Sequence, residues 1–386
     1  MQHLVGLFSA GQWAAAEAQA RRLMREYPGF FVLSNILGAI LTRQGRLKEA
    51  VASYQKAISA RPDYFEAHNN LGLTYKDLGK LNDATAAFRR AIALKPDYLD
   101  AHNNLGNALQ AQGKLDLAAE CFGRALALAP DFAQGHNNLG NVLLEQGRAE
   151  EAAACFRRAL AFAPDYPEAH NNLGLALKEQ GDLAAAITSF ERALALASDY
   201  VEALSNLGTA LEARGDLAAA VERYERALAL APDFAEAHNN LGNALQTTGR
   251  LREAQASFAR AISLRPNFAE AHYNLGNALL EGKQPEAALQ SLRRALSLKA
   301  GYAEAHNSVG NALRKLGKFD EAINSYNKAL AIRPSFDLAA GNLGRTYILA
   351  GEHNLGLQWL LRDTGFVRFT AGAGSRLILE AADAAN

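Results

Sequence analysis

The stretch HNNLGN at His102–Asn107 recurs as His136–Asn141 and His238–Asn243, and its shorter form HNNLG opens at His68 and His170. These histidines stand on a step of 34 residues, which His272 and His306 keep. Pro28, Pro62, Pro96, Pro130, Pro164, Pro232, Pro266 and Pro334 mark the same step, with Ser198 and Ala300 in the two places where proline is missing. A period of this length, with Gly, Ala and Pro at fixed offsets, is the signature of a helix–turn–helix repeat. It predicts an all-α solenoid that grows by stacking, so the length of 386 residues needs no single large core.

One unit shows why. In Ala235–Phe268 a first helix is predicted over Ala235–Thr247. Gly249 ends it, as glycine does where the chain turns left-handed. Leu251, Ala254, Phe258, Ala261, Ile262 and Leu264 then recur at helical spacing, and Pro266 stops the second helix. Asn267 followed by Glu270 reads as a capping-box pair for the next helix, and Asp63/Glu66, Asp165/Glu168, Asp199/Glu202 and Asp233/Glu236 repeat it. Gly242 and Ala254, with Gly72, Gly106, Gly140 and Gly174 and with Ala84, Ala118, Ala152 and Ala186, are the small residues that let helices approach. The expected layout is a partial N-terminal repeat over 1–30, nine repeats over 31–336, a degenerate repeat over 337–363, and a capping tail or stub over 364–386.

The pattern of a large residue, Leu-Gly, a large residue, Ala, an aromatic, Ala and Pro is supplied here by His238, Leu241, Gly242, Leu245, Ala254, Phe258, Ala261 and Pro266. It resembles the tetratricopeptide repeat (TPR) family over nearly the whole chain. The resemblance implies a right-handed α-solenoid superhelix whose first helices line a concave surface.

On a helical wheel, His238, Leu241, Gly242 and Leu245 share one side and must pack on the second helix. Asn239, Asn240 and Asn243 fall opposite, with Glu236. The row at the second paired position is Asn70, Asn104, Asn138, Asn172, Asn206, Asn240 and Asn274, then Ser308 and Asn342. A second row three residues on holds Asn107, Asn141, Asn243, Asn277 and Asn311, interrupted by Leu73, Leu175 and Thr209. A carboxamide offers a donor beside an acceptor, as an extended peptide backbone does. Two readings stand: the rows clamp a peptide backbone, or they bond neighbouring helices and fix the superhelical step. The rows also resemble those in the repeat domain of O-linked N-acetylglucosamine transferases, where an asparagine ladder grips substrate peptide. That resemblance implies a peptide clamp and stops there, since no α/β pattern follows the last repeat. An asparagine-lined groove is expected to be neutral, with weak salt dependence. Val32, Asn35, Ile36 and Ala39 of the first full unit make the groove apolar, so the ladder is expected to stop there. Either the preceding partial repeat folds over them or they dock a hydrophobic side chain.

Lysine plus arginine equals aspartate plus glutamate, 40 against 40, which gives no excess for nucleic acid or an anionic membrane. The chain is expected to be cytoplasmic, with no leader at its N-terminus and no apolar run long enough to span a bilayer. Cys121 and Cys155 are read as free thiols. Each histidine lies a repeat from the next, so no metal is expected. No cofactor or nucleotide motif is present, and the Gly-rich Thr370–Arg376 lacks the lysine of a phosphate loop. The expected function is a non-catalytic scaffold binding a protein or peptide. The alternative is the substrate-recruiting part of a glycosyltransferase-like enzyme, and self-assembly through the second helices is a third.

Overall fold

The computed structural model describes residues 1–364. Every regular element among them is a helix, and consecutive helices pair into hairpins. Two compact units divide at Ser198/Asp199, where the repeat lacks its proline. Unit 1 holds α1 (Gln2–Ser9), α2 (Trp13–Glu26), α3 (Phe31–Arg43), α4 (Leu47–Ala60), α5 (Phe65–Asp77) and α6 (Leu81–Leu94). It continues with α7 (Leu99–Ala111), α8 (Leu115–Leu128), α9 (Ala133–Glu145), α10 (Ala149–Phe162), α11 (Pro167–Glu179) and α12 (Leu183–Leu196). Unit 2 holds α13 (Val201–Arg214), α14 (Leu217–Leu230), α15 (Ala235–Thr247), α16 (Leu251–Leu264) and α17 (Ala269–Glu281). It ends with α18 (Pro285–Leu298), α19 (Ala303–Lys315), α20 (Phe319–Ile332), α21 (Asp337–Leu349) and α22 (His353–Thr364).

The predicted first helix of the sample unit coincides with α15. Its turn works as expected: Gly249 sits at φ 78°, in the left-handed region where a Cβ is penalised. One repeat later the glycine has slipped to Gly282, and Lys283 takes the left-handed place at φ 59°. The helix–helix seam follows from size. A Cβ added to Gly140 would lie 2.6 Å from the Phe156 ring, so only glycine lets the ring of α10 seat against α9. Phe88, Phe122, Phe156 and Phe190 in unit 1 and Phe258 in unit 2 are fully buried in this way, between alanines that are also fully buried.

In unit 1, Leu4, Ala16 and Ala20 of the N-terminal hairpin join Leu33, Leu37, Ile40 and Tyr54 in one core. Ile36 packs against that core, so the preceding hairpin covers it, and Asn35 belongs to the polar network described below. Phe88, Leu105, Leu109, Phe122 and Val142 form a second core across α6 to α9. Unit 2 has its own, built on Leu280, Leu289, Leu292, Val309, Leu313, Tyr326 and Leu343. Within each unit consecutive first helices also touch, α5 on α7 and α9 on α11, then α15 on α17 and α19 on α21. Consecutive second helices make no comparable approach among the described residues. The first helices are therefore the tighter layer.

The capping boxes do not form. The helix N-caps are Tyr64, Tyr166, Tyr200, Phe234 and Phe268, and none of these helices has a side-chain cap bond. Asp63, Asp165, Asp199, Asp233 and Asn267 stand one residue too early, because the aromatic side chain takes the N-cap place at the hairpin junction. Tyr64 packs edge-on to Phe31 with centroids 4.9 Å apart, and Tyr98 packs likewise on Phe65 at 5.0 Å. A side-chain cap does occur at Asp182, which accepts from the Ala185 N–H.

The capping tail expected over 364–386, with its Gly-rich Thr370–Arg376, lies outside the described residues beyond Thr364. No helix among the described residues is long and apolar enough to cross a membrane.

Candidate functional site

The paired asparagines occupy two different environments. The first of each pair is buried: Asn239 is 2% exposed and Asn103 6%. This corrects the helical-wheel placement of Asn239 off the core, and the reason is the neighbouring repeat, which a single-helix wheel omits. The second of a pair reaches back to the first asparagine of the preceding repeat, except Asn240, which has Ser205 in that place and among the described residues makes no such bond. In unit 1, Nδ2 of Asn70 donates to Oδ1 of Asn35 at 3.1 Å, and Asn104 donates to Asn69 at 3.1 Å. Asn138 donates to Asn103 at 2.9 Å and Asn172 to Asn137 at 3.0 Å. In unit 2, Asn274 donates to Asn239 and Asn342 to Asn307, both at 3.0 Å. The ladder does not stop at the first full unit, since Asn35 is its first rung and itself donates to the Tyr64 hydroxyl at 3.4 Å.

This first row is thus a set of inter-repeat bonds. A buried amide oxygen left without a donor is costly, so each rung ties one first helix to the next at fixed register. Asn70, Asn104, Asn138, Asn172, Asn206, Asn240 and Asn274 are half-buried, whereas Asn342 is buried outright.

The second row differs. Asn107, Asn141, Asn243 and Asn277 are half-buried on the same helices. Among the described residues their carboxamides meet no protein hydrogen-bond partner. Asn311 is the exception, since it accepts from the Tyr326 hydroxyl at 2.9 Å. Sequence alone offers no reason to part the two rows, and the bonding separates them.

The same helical stripe carries acids. Glu236, Asn240, Asn243 and Thr247 lie at i, i+4, i+7 and i+11, so they share a face. With capping excluded, the acid one turn before the row position has another partner in two repeats. In unit 2, Glu236 pairs with Arg265 and Glu304 with Arg333. Those arginines also lie over the Phe268 and Phe336 rings, at 4.7 and 4.8 Å. The arginine holds the Glu236 carboxyl below the usual carboxylate range. In these two repeats of unit 2 the acid of the stripe is thus matched by a cation.

The histidines staple the hairpin junctions. Nε2 of His102 lies 2.8 Å from the Pro96 carbonyl, His136 2.9 Å from that of Pro130, and His170 2.9 Å from that of Pro164. His306 does the same at 3.1 Å to Ala300, which stands where proline is missing. A carbonyl only accepts, so Nε2 carries the proton and donates. Burial lowers the pKa of His68 and His272. The fixed six-residue spacing from Pro to His was legible in the sequence, but nothing in it announced a hydrogen bond. Among the described residues no group of three His, Cys, Asp or Glu side chains stands close enough to hold a metal. Cys121 and Cys155 are free thiols, and burial raises the pKa of both.

Comparison with known proteins agrees with this architecture. The chain matches the TPR repeat over residues 38–79, 72–113, 106–147, 140–181 and 208–249. It matches the tetratricopeptide repeat over 239–303, and again over 167–200 and 303–336. No curated protein matches it in a sequence search. Among solved structures it is similar to the APC/C hetero-tetramer Cut9–Hcn1, at 18% identity and TM-score 0.57, over 89% of this chain and 82% of that one. PilF of Pseudomonas aeruginosa is 25% identical over 55% of this chain and 96% of its own, with TM-score 0.48. MamA is 28% identical over 41% of this chain and 92% of its own, with TM-score 0.38. The likeness to Cut9–Hcn1 is one of fold alone. The repeat matches together run from residue 38 to residue 200 and from 208 to 336, and the hairpins obey the same period. The chain belongs to the tetratricopeptide repeat family.

Proposed function

We propose that the protein is a non-catalytic scaffold that holds an extended peptide segment of a partner along its first-helix face. The observation that carries this is the second asparagine row: Asn107 and Asn141 in unit 1, and Asn243 and Asn277 in unit 2, keep their amide donors and acceptors unused. A half-buried carboxamide without a partner suits a peptide group, which offers a carbonyl and an N–H to match it. In the first row, Asn70, Asn104, Asn138, Asn172, Asn274 and Asn342 are given to register instead, and any hold they have on a ligand passes through the second amide N–H and the carbonyl oxygen.

The test separates the two rows. Asn107→Ala/Asn141→Ala/Asn243→Ala/Asn277→Ala removes no internal bond and should melt within a degree or two of wild type. It should lose at least tenfold in affinity for extended peptides selected against the wild type from a random library. Unchanged affinity would overturn the reading. The alternative, a substrate-recruiting part of a glycosyltransferase-like enzyme, draws on the same rows and needs a catalytic domain supplied from elsewhere.

A further inference from the structure

We propose that the first-helix face of unit 1, from α5 to α11, takes an extended segment bearing lysine or arginine at about every third residue; this rests on the peptide-docking reading above. The stripe that presents the asparagines carries Glu66, Asp77, Asp100, Glu145, Glu168 and Glu179 in these four helices. All six are exposed or half-buried, and among the described residues none has an ion pair within the protein. Glu145 accepts one neutral bond, from Gln110 at 2.5 Å. Lys76 and Lys178 stand beside the stripe and offset the six carboxylates only in part.

Two internal uses for these carboxylates are excluded by the structure. They do not cap their helices, since the N-caps of α5, α7 and α11 are tyrosines without side-chain cap bonds. Nor do they have the cation that unit 2 provides. There, Arg265 and Arg333 follow the second helix of the same hairpin and pair with Glu236 and Glu304. In unit 1 the positions equivalent to that arginine, opposite Asp100 and Glu168, are Ala129 and Ala197. Lys95 fills the place opposite Glu66 and lies over the Phe65 ring, 4.8 Å from its centroid. The face thus holds six carboxylates against the fewer cations Lys76, Lys95 and Lys178, beside the unused carboxamides of Asn107 and Asn141.

The spacing suits an extended chain. Packed helices stand roughly 8–10 Å apart, and three extended residues span about 10 Å. Glu66, Asp100 and Glu168 line the N-terminal ends of these helices, with Gln134 in the α9 place, and Asp77, Glu145 and Glu179 line the C-terminal ends, with Ala111 in the α7 place, so a cation on every third residue would meet a carboxylate in three of the four repeats along either line. Such ion pairs at a partly exposed face are screened by salt and raise the association rate.

The test uses the full chain and three labelled peptides, (Lys-Ser-Ser)4, (Gln-Ser-Ser)4 and (Glu-Ser-Ser)4, followed by fluorescence anisotropy from 50 to 500 mM NaCl. The lysine peptide should bind at least tenfold more tightly than the glutamine peptide at low salt, and the glutamate peptide should not bind. Asp100→Asn/Glu145→Gln/Glu168→Gln/Glu179→Gln should remove the preference, while Glu120→Gln/Glu150→Gln/Glu191→Gln on the second helices should leave it. Equal loss from both variants would mean non-specific attraction and overturn the proposal. Equal binding of the lysine and glutamine peptides, both abolished by Asn107→Ala/Asn141→Ala, would overturn it while leaving the docking reading intact. If none of the peptides binds, both readings fall.

Discussion

At the scale of single residues, the seam glycine and the turn glycine do different work, and they fail differently. Gly140 is small because the Phe156 ring lies where its Cβ would be. Gly140→Leu should destabilise the protein by about 3 kcal/mol, the upper end of overpacking costs, read as a fall in denaturant midpoint. An unchanged midpoint would contradict the seam. Gly249 has open space around it but a left-handed backbone, so what matters there is φ. Lys283 holds the same conformation without glycine's freedom. Lys283→Gly should therefore stabilise by about 0.5–1 kcal/mol, the size of the left-handed penalty net of glycine's entropy. A chemical denaturation curve checks it.

At the scale of elements, what joins one hairpin to the next is polar as well as apolar. Asn138 and Asn141 lie one turn apart on α9, and sequence gives no reason to separate them. Only Asn138 supplies a donor to a buried oxygen, that of Asn103. Asn138→Ala should cost about 1–3 kcal/mol, the penalty of an unsatisfied buried acceptor, and Asn141→Ala should cost less than about 0.5 kcal/mol. Paired thermal melts decide this. The histidine staples add a pH signature. Burial favours neutral His68 and His272 in the folded state, so the unfolded chain binds protons more readily. Their stabilisation is complete above about pH 6.5, the ordinary histidine value, and is lost as pH falls through the lower folded value. The melting temperature should drop between pH 7 and 5, and His68→Gln/His272→Gln should flatten that drop. Carboxylates such as Glu151 and Glu253, held low by Arg148 and Arg250, titrate below this window.

At the scale of the whole molecule, each unit carries its own apolar cores, so stability is distributed along the array. Residues 1–198 expressed alone should fold to a helical, cooperatively melting protein. Circular dichroism during heating checks it, and a broad, featureless melt would contradict the division at Ser198.

The sequence by itself determined the hairpins, because a helix's bounds and its apolar stripe depend on residues three or four apart, and the period of 34 wrote that local pattern many times over. It also determined which residues had to be small. What it could not separate were residues alike in local surroundings and different only in what the next repeat brings. Asn103 and Asn104 are neighbours in the chain, yet one is a buried acceptor and the other a donor to Asn69. Glu168 and Glu236 occupy the same place in their repeats. Glu236 has an arginine partner 29 residues on, and Glu168 has Ala197 there. A proline carbonyl looks like a chain stop until a histidine six residues later turns back on it. Bonds of that kind are made across stacked helices, where spatial proximity is set by packing and not by spacing along one helix. Only the tertiary structure could show which asparagines are spent on the solenoid and which remain for a partner.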